Sequence, residues 1–192
     1  MAARRGRLRA PGKRAAGTAA RRAVAPILAF SGPSGAGKTR LLARLLRALA
    51  RRGLAVAAIK HTGHTHPFDQ AGKDTDVLRR AGAVAAAIEG PEGMALFGPP
   101  AGGPRALADM LPPVDLVVAE GFKAEPLPRI EVHRRGVSRE FLCGRDRRVV
   151  AIVTDEPAPR RIPAFAPDDV EQLADFVAAW LRRVRRGRAR AR

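Results

Sequence analysis

Gly32-Pro33-Ser34-Gly35-Ala36-Gly37-Lys38-Thr39 decides the reading of this chain. It fits the pattern G-x-x-x-x-G-K-[S/T] at every fixed position. Its surroundings fit too. The apolar run Val24–Phe30 predicts a short buried strand before it. After it, Leu41, Leu42, Leu45, Leu46 and Leu49 recur at three- and four-residue spacing, which predicts an amphipathic helix over Thr39–Arg52. Gly53 ends that helix. Strand, glycine-rich turn and helix in this order make a phosphate-binding loop. The glycines let backbone N–H groups curl around phosphate oxygens without a side-chain clash. The helix start adds unpaired N–H donors and the positive end of its dipole. Gly32, Ser34, Gly35, Ala36, Gly37, Lys38 and Thr39 are therefore the expected phosphate contacts. Lys38 is expected to reach the β- and γ-phosphates of a nucleotide, and Thr39 to offer its hydroxyl to Mg²⁺.

Outward from the loop, Leu54–Ile59 predicts a second strand. The crossover between the two apolar runs suits a right-handed βαβ unit with parallel strands. Ala83–Ile88, Val114–Ala119, Arg129–His133 and Val149–Val153 are further strand candidates. Asp74–Ala81 and Ala106–Leu111 are short helix candidates. Residues 89–104 hold five Gly and four Pro and are not expected to be regular throughout. A closing helix runs from about Asp169 toward Val184. Asp168 stands at its cap, with Glu171 three residues on, and Trp180 lies on its packing stripe. Apolar strands alternating with helices predict an α/β protein of the P-loop NTPase fold class, a mostly parallel sheet with helices on both faces.

Composition narrows the class further. The chain has 192 residues, 36 basic against 18 acidic. Residues 1–22 and 181–192 together carry 15 basic residues and no acid, so the remaining 158 residues are nearly neutral. The expected organisation is a basic, disordered tail over 1–22, a nucleotide-binding domain over 23–181 and an Arg-rich tail over 182–192. The chain has 31 Arg against 5 Lys, which reads as a compositional bias rather than a nucleic-acid face. Seven Phe, one Trp and no Tyr give little for stacking on bases. Cys143 is the single cysteine, so an internal disulfide is excluded. No apolar run is long enough for a transmembrane helix, and no signal-like segment opens the chain, so a cytoplasmic location is expected.

The loop alone implies binding, not chemistry. A second element must come from an acid at the end of a neighbouring strand. Asp115-Leu116-Val117-Val118-Ala119-Glu120-Gly121 offers Glu120 at its carboxyl end, the edge where ligands bind in such sheets. Glu120 is expected to hold Mg²⁺ through water or to orient an attacking water. The plainer alternative is an ordinary strand-end carboxylate. Asp115, at the opposite end, reads as structural. Lys60-His61-Thr62-Gly63-His64-Thr65-His66 leaves the second strand at the same edge. Lys60, His61 and His64 are candidates for contact with phosphate or an anionic substrate. The spacing of the three His matches no metal pattern, which leaves metal, anion or solvent open. Asp74 is either a helix cap or a Mg²⁺-side carboxylate. The Asn-Lys-x-Asp signature for guanine is absent. Asp155, just past Val149–Val153, is a carboxylate able to accept from N1 and N2 of guanine, which slightly favours GTP. His133 and Cys143 have no evident partner in the sequence.

These elements together resemble the molybdopterin-guanine dinucleotide biosynthesis adapter protein B (MobB) family. The resemblance rests on Gly32–Thr39, Ile59-Lys60-His61-Thr62-Gly63-His64, Gly72-Lys73-Asp74-Thr75 with Arg79-Arg80-Ala81-Gly82-Ala83, Val117-Val118-Ala119-Glu120-Gly121-Phe122-Lys123, and Ile152-Val153-Thr154-Asp155. It covers about residues 26–180. It implies a dimeric GTP-binding protein with weak GTPase activity that assists the guanylyltransferase joining GMP to molybdopterin. Carried onto this chain, Gly35, Gly37, Lys38 and Thr39 hold phosphate and Mg²⁺. Glu120 is the strand-end acid, Asp74 a magnesium-side candidate, and Lys123 lies at the site rim. Two other readings compete. A P-loop small-molecule kinase using ATP would need an Arg-rich lid, for which Arg134, Arg135, Arg139, Arg145, Arg147 and Arg148 are available. A nucleic-acid-binding protein would depend on its tails.

Overall fold

The computed structural model describes residues 25–63, 67–159 and 161–190. Six strands form one sheet: β1 (Ile27–Ser31), β2 (Val56–Lys60), β5 (Leu116–Glu120), β6 (Arg129–Val132), β7 (Val149–Val153) and β8 (Ala164–Phe165). Their order is β2-β5-β1-β6-β7-β8, and every pairing is parallel. The α/β class and the parallel sheet are as expected. The βαβ unit differs in one respect: β5 lies between β1 and β2. Phe30 and Lys60 both take Glu120 as their cross-strand neighbour. Glu120 is also the last residue of its strand, one beyond the expected end.

Alternation along β1 shows how the layers form. Leu28 and Phe30 face α1 (Lys38–Arg51) and α4 (Val170–Arg190), joined there by Leu116, Val118, Ile130, Val132 and Val153. The α1 stripe of Leu41, Leu42, Leu45 and Leu49 is buried against them, each leucine contributing about 2 kcal/mol of transfer free energy. Trp180 and Leu181 of α4 are buried in the same layer. Ile27 and Ala29 point the other way, toward Val117, Ala119, Phe122, Leu127 and α3 (Pro104–Asp109), whose Leu107 and Ala108 pack there. Helices thus cover both faces.

Three local expectations change. Asp168 and Glu171 do not form a capping box. Asp168 accepts from Arg44 of α1 at 2.7 Å, and Glu171 takes Arg51 and Arg52. Asp175 joins at 2.9 Å from Arg52. The acids of α4 therefore clamp α1 rather than close their own first turn. Next, α4 continues through the Arg-rich stretch to Arg190, six residues past the expected end. Arg185 there reaches Asp115 at 2.6 Å, while the other Asp115 oxygen accepts the Ala55 N–H, a structural role for that acid. Last, Ala83–Ile88 does not join the main sheet. β3 (Ala86–Gly90) pairs antiparallel with β4 (Gly93–Phe97) around Pro91-Glu92, inside the stretch expected to be irregular. α2 (Asp74–Arg80) packs on β3. The tail 1–22 lies outside the described residues.

Strand β6 carries a polar face inside the protein. Ile130 and Val132 look into the α1–α4 layer, while Arg129, Glu131 and His133 are buried on the opposite side. Arg129, 3% exposed, donates to the carbonyls of Leu127 at 3.3 Å, Lys123 at 3.0 Å and Glu125. Its charge is met by Asp146 at 3.4 Å. Burial pulls this guanidinium below the ordinary arginine range, and Asp146 opposes that. The Glu131 carboxylate accepts the N–H groups of Leu142 and Cys143, at 2.7 and 2.8 Å. His133 stacks on Phe141 with centroids 3.8 Å apart and meets Glu156 at 2.8 Å through Nε2. This row fastens the loops after β5 and β6 onto the sheet. Arg129→Met would strand three carbonyls and leave Asp146 with Arg148 alone, and is expected to destabilise the fold by about 3 kcal/mol. Urea denaturation against Arg51→Ala, expected to cost under about 1 kcal/mol, measures it.

Candidate functional site

The phosphate loop begins where β1 ends and runs beside β6. A Cβ at Gly32 would stand 2.2 Å from the Val132 carbonyl oxygen, so only glycine lets the loop pass that strand. Gly37 is the left-handed N-cap of α1 at φ 81°. Lys38 and Thr39 therefore open the helix with the first-turn N–H groups free for an anion. The Lys38 ammonium curls back over the loop and donates to the carbonyls of Gly32 at 3.1 Å and Pro33 at 2.7 Å. Burial holds it below the ordinary lysine range. Glu120 pulls the other way, while Lys123 and Lys60 add to the lowering.

Glu120 reaches the loop because β5 adjoins β1. The Thr39 hydroxyl lies 2.9 and 2.8 Å from its two carboxylate oxygens. The Lys60 ammonium stands 3.6 Å from Glu120 Oε1. One hydroxyl and one carboxylate face each other at the head of a helix: hard oxygen donors, few in number. That set fits Mg²⁺, which keeps most of its waters and takes one or two protein oxygens. Among the described residues no three His, Cys, Asp or Glu gather as a metal cage.

The strand end is shaped by the turn after it. Gly121 adopts φ 93°, and a Cβ there would come within 3.0 Å of the His61 carbonyl oxygen. Phe122 follows at φ 50°, a left-handed conformation that a bulky residue seldom takes. It is buried against the His61 ring at 5.2 Å. His61 in turn donates its N–H to the Glu120 carbonyl at 2.9 Å. Lys60, His61, Glu120 and the Lys123 turn are thus one cluster at the edge of β2 and β5. His64 and His66 lie outside the described residues.

The other two candidates sit apart from that cluster. Asp74 is the first residue of α2, exposed, after Lys73 at the N-cap. Its neighbours are the acids of that lobe: Asp69 accepts from Thr75 and Arg79, both at 2.9 Å, and Asp76 from Gly72 and Arg80. Among the described residues, no hydrogen bond or ion pair joins Asp74 to Thr39 or Glu120. Asp155 lies at the correct sheet edge, beyond β7. Its carboxylate accepts the Arg135 N–H at 2.9 Å and faces Arg134 at 3.6 Å. The Arg135 hydrogen bond, opposed by burial and aided by Arg134, holds it below the usual carboxylate range. A cleft of about 230 Å³ opens between the loop and the ends of β6 and β7, lined by Gly37, Arg40, Arg44, Arg134, Val153 and Asp168. Sequence reading did not single out Arg40 for this cleft. The signal was its place directly after Thr39 on the first turn of α1.

A model of the family "MobB: Molybdopterin guanine dinucleotide synthesis protein B" matches residues 27–155. The chain is 35% identical to the molybdopterin-guanine dinucleotide biosynthesis adapter protein of Escherichia coli K12 over 82% of its own length and 94% of the relative's. It is 33% identical to the adapter protein of Haemophilus influenzae, covering 81% and 89%. Among solved structures, a molybdopterin-guanine biosynthesis protein B superposes with a TM-score of 0.64 at 26% identity, over 80% of this chain and 99% of that one. Bacillus subtilis MobB shares the fold, with a TM-score of 0.61 at 24% identity over 80% and 96%. No described helix is long and apolar enough to cross a membrane. With its phosphate loop, strand-end acid and parallel sheet, the chain belongs to the MobB family of molybdenum cofactor biosynthesis proteins.

Proposed function

We propose that this protein is a cytoplasmic GTP-binding adapter with weak Mg²⁺-dependent GTPase activity, assisting the guanylyltransferase that attaches GMP to molybdopterin. The observation that carries the reading is the pairing of Thr39 Oγ1 with both Glu120 oxygens at the head of α1. The loop N–H groups and Lys38 bind the phosphates. Thr39 and Glu120 hold Mg²⁺, which supplies neutralisation of charge across the β- and γ-phosphates. Glu120, 12% exposed, is also near enough to the loop to orient a water. Asp155, at the end of β7, is the carboxylate we assign to the base.

An ATP-dependent kinase needs arginines free to close over a substrate. Here four of the six lid candidates, Arg134, Arg135, Arg145 and Arg148, are engaged, with Asp155, Glu156, Glu140 and Asp146. The adapter reading is therefore favoured. A homodimer is supported by the β3–β4 hairpin, which exposes Ile88, Met94 and Leu96 and stands outside the main sheet. A two-stranded hairpin is marginal alone and gains from cover by a second copy.

Three outcomes are expected. Calorimetry should find GTP bound more tightly than ATP, with Lys38→Ala losing about 3 kcal/mol, roughly 100-fold in affinity. Equal affinity for ATP would sink the guanine assignment. Glu120→Gln should slow phosphate release about 100-fold while changing GTP affinity less than about 3-fold. Light scattering after gel filtration should show a dimer for the intact protein and a monomer for Ile88→Glu with Leu96→Glu. An unchanged mass in that variant would place the dimer contact elsewhere.

A further inference from the structure

We propose that Arg134 is a positioning residue that exchanges one anion for another: it covers the Asp155 carboxylate until the phosphates of a nucleotide draw it onto the phosphate loop, and Asp155 is then open to the base. The proposal rests on the nucleotide-binding reading above, with Asp155 on the base. It adds the residue that links the base end of that site to its phosphate end.

The turn after β6 holds Arg134 over the loop. Its N–H donates to the Ser138 hydroxyl at 3.0 Å, and its carbonyl accepts the N–H groups of Val137 and Ser138 at 3.1 and 2.8 Å. One residue earlier, the His133 N–H donates to the Val153 carbonyl at 2.9 Å, which fixes the turn to β7. The turn lies on the phosphate loop at two points. Val137 Cγ1 is 3.7 Å from where a Cβ would stand at Gly35, and Arg134 Nη2 is 4.0 Å from where one would stand at Gly37. These glycines belong to the loop that supplies N–H donors for phosphate. The guanidinium therefore stands beside the phosphate seat, in the cleft of about 230 Å³ that Gly37, Arg40, Arg44 and Arg134 line.

The same side chain also reaches the base carboxylate. Arg134 Nη1 lies 3.6 Å from Asp155 Oδ2, and both side chains are more than a third exposed. An ion pair so long and so open is weak. Asp155 has a firmer partner in the Arg135 N–H, which it accepts at 2.9 Å. That hydrogen bond is the main cause holding the carboxylate below its usual range, with burial opposed and Arg134 a smaller aid. Asp155 thus keeps its charge and its place when Arg134 leaves. Across the cleft, Arg44 is committed to Asp168 at 2.7 Å. Among the described residues, Arg134 is the one cleft arginine that forms an ion pair with Asp155.

Charge and geometry set the direction of the exchange. A triphosphate carries more negative charge than one carboxylate, and Mg²⁺ and Lys38 offset most of it but not all. A guanidinium can also take two phosphate oxygens through parallel N–H groups, a stronger union than its open pair with Asp155. A base offered without phosphates leaves Arg134 where it is and meets a carboxylate already paired. Base recognition is therefore conditional on phosphate binding. The exchange stays inside the nucleotide's own cleft and asks for no arginine to close over a second substrate.

The test is calorimetric titration of three probes, each with Mg²⁺, into the full-length protein: a non-hydrolysable GTP analogue, inorganic tripolyphosphate and guanosine. Arg134→Ala should weaken tripolyphosphate and the analogue about 10-fold each, since the phosphate end loses a cation. The same variant should tighten guanosine about 5-fold, since the base end loses a competitor. Adding Asp155→Ala should return guanosine to its wild-type affinity or below. Arg40→Ala removes a cleft arginine not paired with Asp155, and should leave guanosine within about 2-fold. A purely structural role for Arg134 would weaken all three probes together. Guanosine unchanged, weakened or undetectable in Arg134→Ala overturns the proposal. So does tripolyphosphate unchanged in that variant, or a guanosine gain that survives Asp155→Ala. If the wild-type protein binds no analogue, the nucleotide reading falls and the proposal with it. If it binds the analogue and the opposed shifts are missing, the proposal alone falls.

Discussion

The Thr39 hydroxyl meets the Glu120 carboxylate because β5 occupies the place between β1 and β2. Everything at the candidate site depends on that placement. It makes Glu120 a cross-strand neighbour of both Phe30 and Lys60, so one carboxylate serves the loop on one side and a lysine on the other. It also sets the turn at Gly121, where the His61 backbone presses close. Were β2 directly beside β1, as a simple βαβ unit would have it, Lys60 would face the loop and Glu120 would lie beyond it. The same residues would then carry a different electrostatic pattern.

The polar row on β6 is the second support. Strands of a parallel sheet are usually apolar on both faces. Here Arg129, Glu131 and His133 are buried, and their partners lie in the connections after β5, β6 and β7 rather than on α1 or α4. Arg129 gathers the carbonyls of residues 123, 125 and 127, and Glu131 gathers the N–H groups of residues 142 and 143. Where most of this sheet is covered by side chains packing on side chains, this part is covered by backbone hydrogen-bonded to ionised groups. The result is precise loop placement at the edge where the phosphate loop also lies.

Much of this was legible in the residue order. The leucine spacing over residues 41–49 defined α1, and the glycine-lysine-threonine run defined the loop, because both signals are local. Glu120 was legible as the acid closing an apolar run. The hairpin was not. Gly90, Gly93 and three nearby prolines masked a five-residue strand, since breaker residues at a tight turn look the same as a structureless loop. The α4 acids misled in another way. Asp168 and Glu171 have cap spacing, yet Arg44 and Arg51 of α1 and Arg52 just past its end lie across from them and outcompete a backbone N–H for their charge. The role of Arg129 was hidden for the same reason: its partners are backbone carbonyls, and any sequence supplies those. Pairing of Asp155 with the loop after β6 likewise comes from tertiary structure alone.

Strand order also fixes when the site can come into being. Thr39 and Glu120 are 81 residues apart, and β2, α2, the β3–β4 hairpin and α3 are all made before β5 emerges. A nascent chain that has completed β1, α1 and β2 holds two apolar strands with an empty lane between them. Neither inner edge can pair until residues 116–120 arrive to fill the lane. Contacts this distant in sequence close slowly, and unpaired strand edges are sticky while they wait. Assembly of the sheet's centre and completion of the acid–hydroxyl pair are therefore one late event. A chain that stalls before it has an intact phosphate-loop sequence and no site.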